Sequence, residues 1–450
     1  MWSDEYKVAV IGGGPAGLSA AYFLRENGYP VTVFEKEKRA GGMLMNGIPS
    51  YRLEKDIIEA EIDVIRQMGV EFKCGVEVGK DVTIEQLRAE GYKAFFIAIG
   101  MQGGRLAGVP GEDAEGVQTG VDFLRKINQD HSVKLSGDTV VIGGGNVAID
   151  VARTAVRAGA SKVTMLCLES EKEMPAAKDE VEEAREEGIE VKNGWGPKEV
   201  VVENGHVKAV IFKKCVSVFD SEHRFAPQYD ENDTIEIPCE NLLLSIGQSI
   251  QWGDLLKGTK VELNRNGTAK ADALTRQTAE PDIFVGGDVF TGAKFAIDAI
   301  AGGREGYVSI NRFVHKGNRL DLARDRREFI ELDKDDIKVE SFDNAKRQIP
   351  GKKAGVAKDT FDDLRLTLTE EQVKTEAARC LGCGATTVDE NRCIGCGLCT
   401  TKCEFDAIHL TRDMPAASTM YRSEDKLKAV GPYAAKRAGK ILINKITGGK

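Results

Sequence analysis

The chain has 450 residues, of which 42% are hydrophobic and 30% charged, and its formal net charge is −9. This length predicts two or three domains, and the acidic balance argues against nucleic acid as a partner. No segment is apolar enough to span a membrane and the first residues do not form a signal peptide, so we expect a cytoplasmic protein.

A glycine-rich turn organises the first part of the chain. A predicted buried strand ends in the sequence GGGPAG at residues 12–17, and a helix and a second strand follow. Gly12 permits the tight turn, Gly14 lets the backbone approach a diphosphate, and Gly17 lets the helix pack against the strand. Glu35 ends the second strand, where it can accept hydrogen bonds from an adenosine ribose. The pattern predicts a dinucleotide site at the N-terminus of the helix.

Two later segments extend this first domain. The glycine-rich sequence GGMLMNGIPSYRL at residues 41–53 suits a loop that lies against a flavin. It leads into a predicted helix from about Glu54 to Met68 and a strand-like stretch over 70–78. A buried strand then ends at Gly100, and its exit is predicted to be a crossing point into another domain.

The opening pattern repeats in the middle of the chain. A buried strand leads into GGGNVA at residues 143–148, in which Ala148 replaces the third glycine and still allows close packing. A helix and a strand over 162–168 follow, then an alternating, β-like stretch from 189 to 240 and a buried strand that ends at Gly247. Two such turns predict a flavin and a nicotinamide cofactor held face to face and exchanging a hydride, a step that needs no catalytic acid or base.

The chain then returns to its first domain. A strand ends at Gly286-Gly287-Asp288, and a helix is predicted from Ala293 to Val314. We therefore predict an α/β fold with two dinucleotide-binding (Rossmann-like) domains, the second inserted in the first, and a small C-terminal ferredoxin-like iron–sulfur module. The predicted boundaries are 1–105 and 273–315 for the FAD-binding domain, 106–272 for the NAD(P)H-binding domain, 316–376 for a charged linker, 377–412 for the iron–sulfur module and 413–450 for a basic C-terminal tail.

Six of the ten cysteines lie close together near the C-terminus. Four follow the C-x2-C-x2-C-x3-C spacing of bacterial ferredoxins, which predicts at least one [4Fe–4S] cluster. The other two form a C-x2-C pair upstream, which suits either a second cluster completed by another ligand or a zinc knuckle. The metal candidates are Cys393, Cys396, Cys399 and Cys403 for the ferredoxin spacing, and Cys380 and Cys383 for the pair. The basic tail is either a solvated, partly disordered end, a docking segment for another subunit or a membrane-surface segment.

Several of these motifs together carry a family resemblance. The sequences at 12–17, 41–53, 143–148, 173–176 (EMPA) and 286–288 resemble the small-subunit family of glutamate synthase, to which modules of dihydropyrimidine dehydrogenase and of electron-bifurcating transhydrogenases are related. The resemblance covers about residues 6–315 and implies FAD on the first domain and NAD(P)H on the second.

By motif position, the resemblance also implies individual roles. Asp288 would hold the ribityl chain, and the helix start near Ala296 would face the pyrimidine edge of the flavin. The candidate cofactor-binding residues are Gly12, Gly14, Pro15, Ala16, Gly17, Glu35, Lys36, Gly42, Met43, Arg52, Val78, Gly100, Gly287, Asp288 and Ala296, together with Gly143, Gly145, Asn146, Val147, Ala148, Glu169 and Gly247 around the second turn.

One departure from the family concerns the choice of nicotinamide cofactor. Members that use NADPH carry an arginine pair just after the second strand of the nicotinamide domain, where this chain has Leu168 and Glu169. A carboxylate repels a 2′-phosphate and can accept a hydrogen bond from a 2′-hydroxyl, so we predict a preference for NADH. Lys172 nearby could rescue binding of NADPH.

The sequence predicts an FAD- and iron–sulfur-dependent NAD(P)H oxidoreductase subunit. Its expected partners are other subunits of an electron-transfer complex, a ferredoxin or a ferredoxin-like subunit. By resemblance the complex could be an electron-bifurcating transhydrogenase, a hydrogenase or a formate dehydrogenase. One alternative is a glutamate synthase small subunit supplying electrons from NADPH, which the Leu168-Glu169 pair and the lack of an N-terminal iron–sulfur segment disfavour. The other is a non-catalytic flavoprotein scaffold, which the intact glycine turns disfavour.

Overall fold

A five-stranded parallel sheet carries the first glycine turn in the computed structural model, which describes residues 6–222, 224–315, 318–322, 324, 345–380, 393–402, 408–410 and 425–446. Its strands are β1 (Lys7–Ile11), β2 (Val31–Glu35), β3 (Glu71–Cys74), β4 (Tyr92–Ile97) and β15 (Ile283–Val285). Their order is β15-β4-β1-β2-β3, and each neighbouring pair is parallel.

A second five-stranded parallel sheet carries the second glycine turn. Its strands are β6 (Val117–Thr119), β7 (Asp138–Ile142), β8 (Lys162–Cys167), β9 (Glu190–Asn193) and β13 (Asn241–Leu244), in the order β6-β13-β7-β8-β9. All of these strands lie between β4 and β15 in sequence. The second dinucleotide-binding fold is therefore inserted in the first, as the sequence predicts.

Two antiparallel sheets complete the strand inventory of the described residues. The alternating stretch forms a meander of β10 (Trp195–Glu203), β11 (His206–Phe219) and β12 (Phe225–Pro238). The chain passes from the first parallel sheet to the second and later returns to the first. The two connecting segments pair with each other as β5 (Gly103–Gly104) and β14 (Gln248–Ser249).

The helices of the described residues are α1 (Pro15–Glu26), α2 (Met43–Asn46), α3 (Lys55–Gln67), α4 (Ile84–Ala89), α5 (Gly120–Gln129), α6 (Asn146–Arg157), α7 (Lys178–Glu186), α8 (Asp288–Thr291), α9 (Ala296–Val314), α10 (Glu370–Ala378), α11 (Leu398–Lys402) and α12 (Lys426–Ile446). The predicted start of the helix at Ala293 is wrong, because Gly292 with φ +76° follows the end of α8 and α9 begins only at Ala296. The strand-like stretch over 70–78 is shorter than predicted, and the basic tail contains α12.

The first sheet is buried on both faces, which explains the uninterrupted apolar run of β1. Val8 and Val10 pack in one core cluster with residues of α1, α3 and α9, whereas Ala9 and Ile11 pack in another with residues of α4. The helix α1 approaches β1 so closely that a Cβ on Gly17 would lie 1.9 Å from the carbonyl oxygen of Gly12. Only glycine is compatible with this packing.

Part of the predicted linker packs against both dinucleotide-binding folds. In the 350–366 segment, Phe361 stacks on His131 with ring centroids 4.3 Å apart, and the carbonyl oxygen of Thr360 accepts a hydrogen bond from Arg157 Nε at 3.1 Å. Arg365 Nη2 donates to the carbonyl oxygen of Arg52, at the end of the 41–53 loop, at 3.2 Å. The segment therefore links the helices of the inserted domain to the first domain.

A buried ion-pair network lies beneath this segment. Arg153 and Arg157 of α6 approach the carboxylate of Glu187 at 2.7 and 2.6 Å, and the three side chains are only 3–8% exposed. Burial alone would raise the pKa of Glu187, but hydrogen bonds from Arg157 and Arg153 outweigh burial and hold this pKa below its ordinary value. The carboxylate thus compensates two buried guanidinium groups.

The substitution Glu187→Ala is expected to lower the free energy of unfolding by about 3–5 kcal/mol, because it leaves two buried positive charges without their shared partner. Urea denaturation of the purified chain measures this change. As a matched control, Glu190→Ala removes a carboxylate whose partners Lys162 and Lys192 lie on the surface, and it is expected to have a much smaller effect. Equal destabilisation by the two substitutions would contradict this role of Glu187.

The chain divides into two compact units, one comprising 1–337 and 347–374 and the other 338–346 and 375–450. The first unit contains both parallel sheets, and the second contains the ferredoxin-type cysteine spacing and α12. Within the described residues, no helix combines the length and apolar character required to cross a membrane.

Candidate functional site

A cleft opens at the carboxyl ends of the strands of the first sheet. This is the edge at which parallel α/β sheets bind their ligands. Most of the residues predicted around the first turn line this cleft, namely Gly12, Gly14, Pro15, Ala16, Glu35, Lys36, Gly42, Met43, Val78, Gly100, Gly287, Asp288 and Ala296.

The carboxylate of Glu35 faces the cleft with a fixed orientation. Its Oε2 atom accepts a hydrogen bond from the backbone N–H of Gly13 at 2.7 Å, and its Oε1 atom accepts one from the backbone N–H of Glu37 at 2.8 Å. Burial raises the pKa of Glu35, while these two hydrogen bonds oppose the rise. Each carboxylate oxygen retains a further acceptor site, which fits the hydroxyl groups of a ribose.

The N-terminus of α1 is open to a diphosphate. Gly14 is the N-cap residue, Pro15 follows at the first helical position, and the first turn contains no acidic side chain. A Cβ on Gly42 would lie 2.8 Å from the Cα atom of Gly14, so no side chain can enter between these two backbone segments. Free N–H groups and the positive end of the helix dipole therefore face a backbone cradle, which fits the diphosphate of FAD.

Asp288 also lines the cleft, and it follows β15 after Gly286 and Gly287. Gly287 before it has φ +68°, and burial raises the pKa of the Asp288 carboxyl. A half-buried carboxylate at this position can accept hydrogen bonds from the hydroxyl groups of a ribityl chain. Ala296 begins α9 beside it, so a second helix N-terminus lines the cleft.

Two predicted residues do not line the cleft. Gly17 instead allows α1 to pack closely on β1. Arg52 instead pairs with Glu180 at 2.5 Å and with Asp150, both in the inserted domain. Burial raises the pKa of Asp150 to about 7, and the neighbouring Arg52 opposes this rise. Arg52 lies at the end of its loop, and its side chain contacts the inserted domain rather than the cleft.

Other lining residues were missed by the sequence analysis. Asn46 lies within the GGMLMNGIPSYRL loop, so its polar side chain in an otherwise apolar stretch was an available signal. Gln102 and Trp252 lie next to the two crossings between the sheets. No local sequence pattern identifies these two residues. They reach the cleft through the pairing of β5 with β14, which are far apart in the chain.

The second glycine turn has the same construction as the first. Gly143 has φ +148°, and a Cβ there would lie 2.4 Å from the carbonyl oxygen of Ser245. Ala148 is fully buried, whereas a Cβ on Gly145 would meet no atom within 4 Å. Asn146 Oδ1 accepts a hydrogen bond from the backbone N–H of Ala177 at 2.8 Å, which ties the following loop to the N-terminus of α6. The turn is thus fixed while its central glycine stays open to a ligand.

The surroundings of this turn include the three remaining candidates. Val147 is 37% exposed, and Gly247 is exposed with φ +114°. A Cβ on Gly144 would lie 2.6 Å from Glu169 Oε2. The carboxylate of Glu169 therefore lies over the second turn, much as Glu35 lies over the first, where an adenosine ribose is bound in such folds.

The described cysteines of the second unit lie on a short loop and on α11. Cys393, Cys396 and Cys399 are exposed, and the intervening Gly395 and Gly397 have φ +65° and +76°. Cys380 is also exposed, whereas Cys383 and Cys403 lie outside the described residues. Within the described residues, no three His, Cys, Asp or Glu side chains converge on a common metal position. Three accessible thiols on a loop turned by glycines nevertheless fit the ligand chemistry of an iron–sulfur cluster.

Two family descriptions match the chain. Residues 6–303 match "Pyridine nucleotide-disulphide oxidoreductase", and residues 386–409 match "4Fe-4S binding domain". The first match contains both glycine turns, and the second contains Cys393, Cys396, Cys399 and Cys403.

Individual proteins resemble the same region. The chain is 40% identical over 326 residues to NADP(+)-dependent formate dehydrogenase subunit beta of Moorella thermoacetica, an alignment that covers 71% of this chain and 45% of that protein. It is 35% identical over 318 residues to the glutamate synthase [NADPH] small chain of Halomonas elongata, an alignment that covers 68% of this chain and 67% of that protein. The chain therefore spans about half the length of the first of these relatives.

A solved structure shows the same fold. FprA of Mycobacterium tuberculosis in complex with NADPH has a TM-score of 0.60 and 18% identity, over 69% of this chain and 85% of that one.

The matches and the geometry agree on the class of protein. The chain is an oxidoreductase with a fold for FAD and NAD(P)H and a domain for [4Fe–4S], and the cleft residues fit FAD. The predicted resemblance to the glutamate synthase small subunit is confirmed by the alignment over two thirds of that relative. The chain belongs to the pyridine nucleotide-disulphide oxidoreductase family, and within it to the group that includes the glutamate synthase small chain.

Proposed function

We propose that this chain is the NAD(P)H-dependent flavin subunit of a multi-subunit electron-transfer complex. The observation that carries the proposal is the presence of two equivalent turns, each with a carboxylate above it, in a chain that also has a ferredoxin-type cysteine spacing. Bound flavin supplies the chemistry that connects hydride transfer with single-electron transfer. The first domain would hold FAD through Glu35, the α1 N-terminus and Asp288, and the inserted domain would hold the nicotinamide cofactor.

The proposal includes a preference for NADH. Two relatives carry NADP(+) or NADPH in their names, whereas this chain places the Glu169 carboxylate over its second turn. A negative charge at the ribose position disfavours the 2′-phosphate that distinguishes NADPH. Lys172 is exposed in the same loop.

The proposal also includes partner subunits and a cytoplasmic location. The two relatives are named as a beta subunit and a small chain, which supports assembly with other chains. A partner with an acidic surface suits α12, which has basic side chains and no acidic residue. Cys74, Cys167, Cys215 and Cys239 are all free thiols, which is typical of a reducing compartment.

A second candidate is a glutamate synthase small subunit, because the alignment with that relative covers two thirds of both chains. The two candidates differ in the electron acceptor. A glutamate synthase small subunit would support glutamate formation when mixed with a large chain of that enzyme, whereas the proposed subunit would reduce a ferredoxin or a dye without one.

Anaerobic titration of the purified chain with NADH and, separately, with NADPH tests the proposed function. We expect bleaching of the flavin absorbance with either nucleotide, at a lower concentration of NADH, and an EPR signal of a reduced cluster. Bleaching without this signal would mean that the cluster potential is too low for NAD(P)H alone. Absence of bleaching with both nucleotides would contradict the proposal and favour a non-catalytic scaffold.

A further inference from the structure

One buried amide group at the FAD cleft lacks a hydrogen-bond partner within the part of the chain that the structure describes. Asn46 ends α2, is 4% exposed and lines the cleft. Its Nδ2 atom is buried and has no hydrogen-bond partner among the residues that the structure describes. Buried N–H groups nearly always find an acceptor in folded proteins. The missing acceptor is therefore expected on the molecule that fills the cleft.

The backbone around Asn46 is held in place by side chains from two other helices. Lys55 of α3 donates through Nζ to the carbonyl oxygen of Leu44 at 2.8 Å and also to that of Ile48. Asn128 of α5 donates through Nδ2 to the carbonyl oxygens of Asn46 and Gly47 at 3.1 and 3.3 Å. These bonds fix the backbone position of Asn46 beside the cleft.

The position of α2 also directs Asn46 toward the cofactor. The helix begins after Gly42, the residue that abuts Gly14 in the diphosphate cradle. Asn46 lies one helical turn farther along, about 5 Å from this cradle along the helix axis. That distance is within the length of a dinucleotide whose diphosphate lies at the N-terminus of α1.

We propose that Asn46 is a cofactor-binding residue whose Nδ2–H group donates a hydrogen bond to an acceptor atom of bound FAD. This inference rests on the assignment of the cleft to FAD in the proposed function. It adds a polar side chain to the contacts that Gly42 and Met43 of the 41–53 loop already offer at the cleft. Arg52 of the same loop, by contrast, pairs with the inserted domain.

The test is the dissociation constant of FAD, measured by titrating flavin-depleted protein and following the flavin spectrum. We expect Asn46→Ala to raise this constant about threefold to tenfold, the usual effect of losing one hydrogen bond. Asn46→Asp keeps the shape of the side chain but offers a negatively charged acceptor, so we expect an increase of more than about tenfold. The circular dichroism spectrum of the flavin-depleted Asn46→Asp protein is expected to match that of the wild type, which would show that the fold is intact.

The control variant is Asn27→Ala, which removes an exposed amide at the C-terminal end of α1 and leaves every cleft residue in place. We expect it to change the FAD dissociation constant less than twofold. The proposal is overturned if Asn46→Ala binds FAD within a factor of two of the wild type. It is also overturned if Asn46→Asp binds FAD as tightly as the wild type, because the amide would then act as an acceptor. A wild-type chain that binds no FAD would contradict the cleft assignment itself.

Discussion

The substitution Glu169→Arg is expected to raise the ratio of kcat/KM for NADPH to kcat/KM for NADH by about a hundredfold. The wild-type carboxylate lies over the second glycine turn, where a Cβ on Gly144 would approach Glu169 Oε2 to 2.6 Å. Arginine there would replace repulsion of a 2′-phosphate with a bidentate, charge-assisted pair. At the same time NADH would lose the acceptor for its 2′-hydroxyl group.

The measurement compares reduction of a dye by the two nucleotides at several concentrations of each. The matched control is Glu171→Arg, which makes the same change of charge two residues away on an exposed side chain that pairs with Arg185. We expect this control to shift the ratio only weakly, and less so as salt screens the surface. If both substitutions shift the ratio equally, the effect is a general change of charge and Glu169 is not at the 2′ position.

The second large effect is expected from Cys396→Ser, which should remove most of the cluster iron. Cys396 is the second of the four cysteines in the ferredoxin spacing. It lies between Gly395 and Gly397, both of which have a positive φ. Serine cannot supply the thiolate that ligates iron in a cubane cluster. The FAD cleft belongs to the first unit and Cys396 to the second, so bleaching of the flavin by NAD(P)H should persist.

Iron content per protein and the EPR signal of the reduced chain check this expectation. Cys74→Ser provides the control, because Cys74 is a free thiol in β3 and lies outside the ferredoxin spacing. We expect the control to retain full iron content. Unchanged iron in Cys396→Ser would contradict the assignment of this cysteine as a cluster ligand, and a parallel loss of flavin would indicate misfolding of the chain.

The sequence identified the parts of the site that depend on neighbouring residues. A tight turn, a close approach of backbone and a carboxylate at the end of the next strand all lie within one short stretch, so Gly12, Gly17 and Glu35 could be read without knowledge of the fold. The same local logic found the second turn with Glu169 and the cysteine spacing around Cys396. The insertion of the second domain also followed, because the order of strand endings along the chain is itself a sequence feature.

Contacts between distant segments could be decided only by the tertiary structure. Arg52 and Asn46 share one loop, yet Arg52 meets Glu180 of the inserted domain while Asn46 lines the cleft. Arg52 was predicted as a binding residue from its position in the motif. Such a position indicates which residues lie near a site but not the direction in which each side chain points. The 350–366 segment shows the same limit, since its charged composition predicts a linker that wraps the body but not that Phe361 packs on His131.

What the sequence by itself determined is therefore the chemistry encoded over a few residues: glycine turns, strand-end carboxylates and thiol spacing. What only the tertiary structure decided is which side chains from distant segments meet, including the Arg153–Glu187–Arg157 network and the amide of Asn46 in the cleft. The physical reason is that turn geometry depends on local backbone sterics, whereas these contacts depend on the packing of elements that are far apart in sequence.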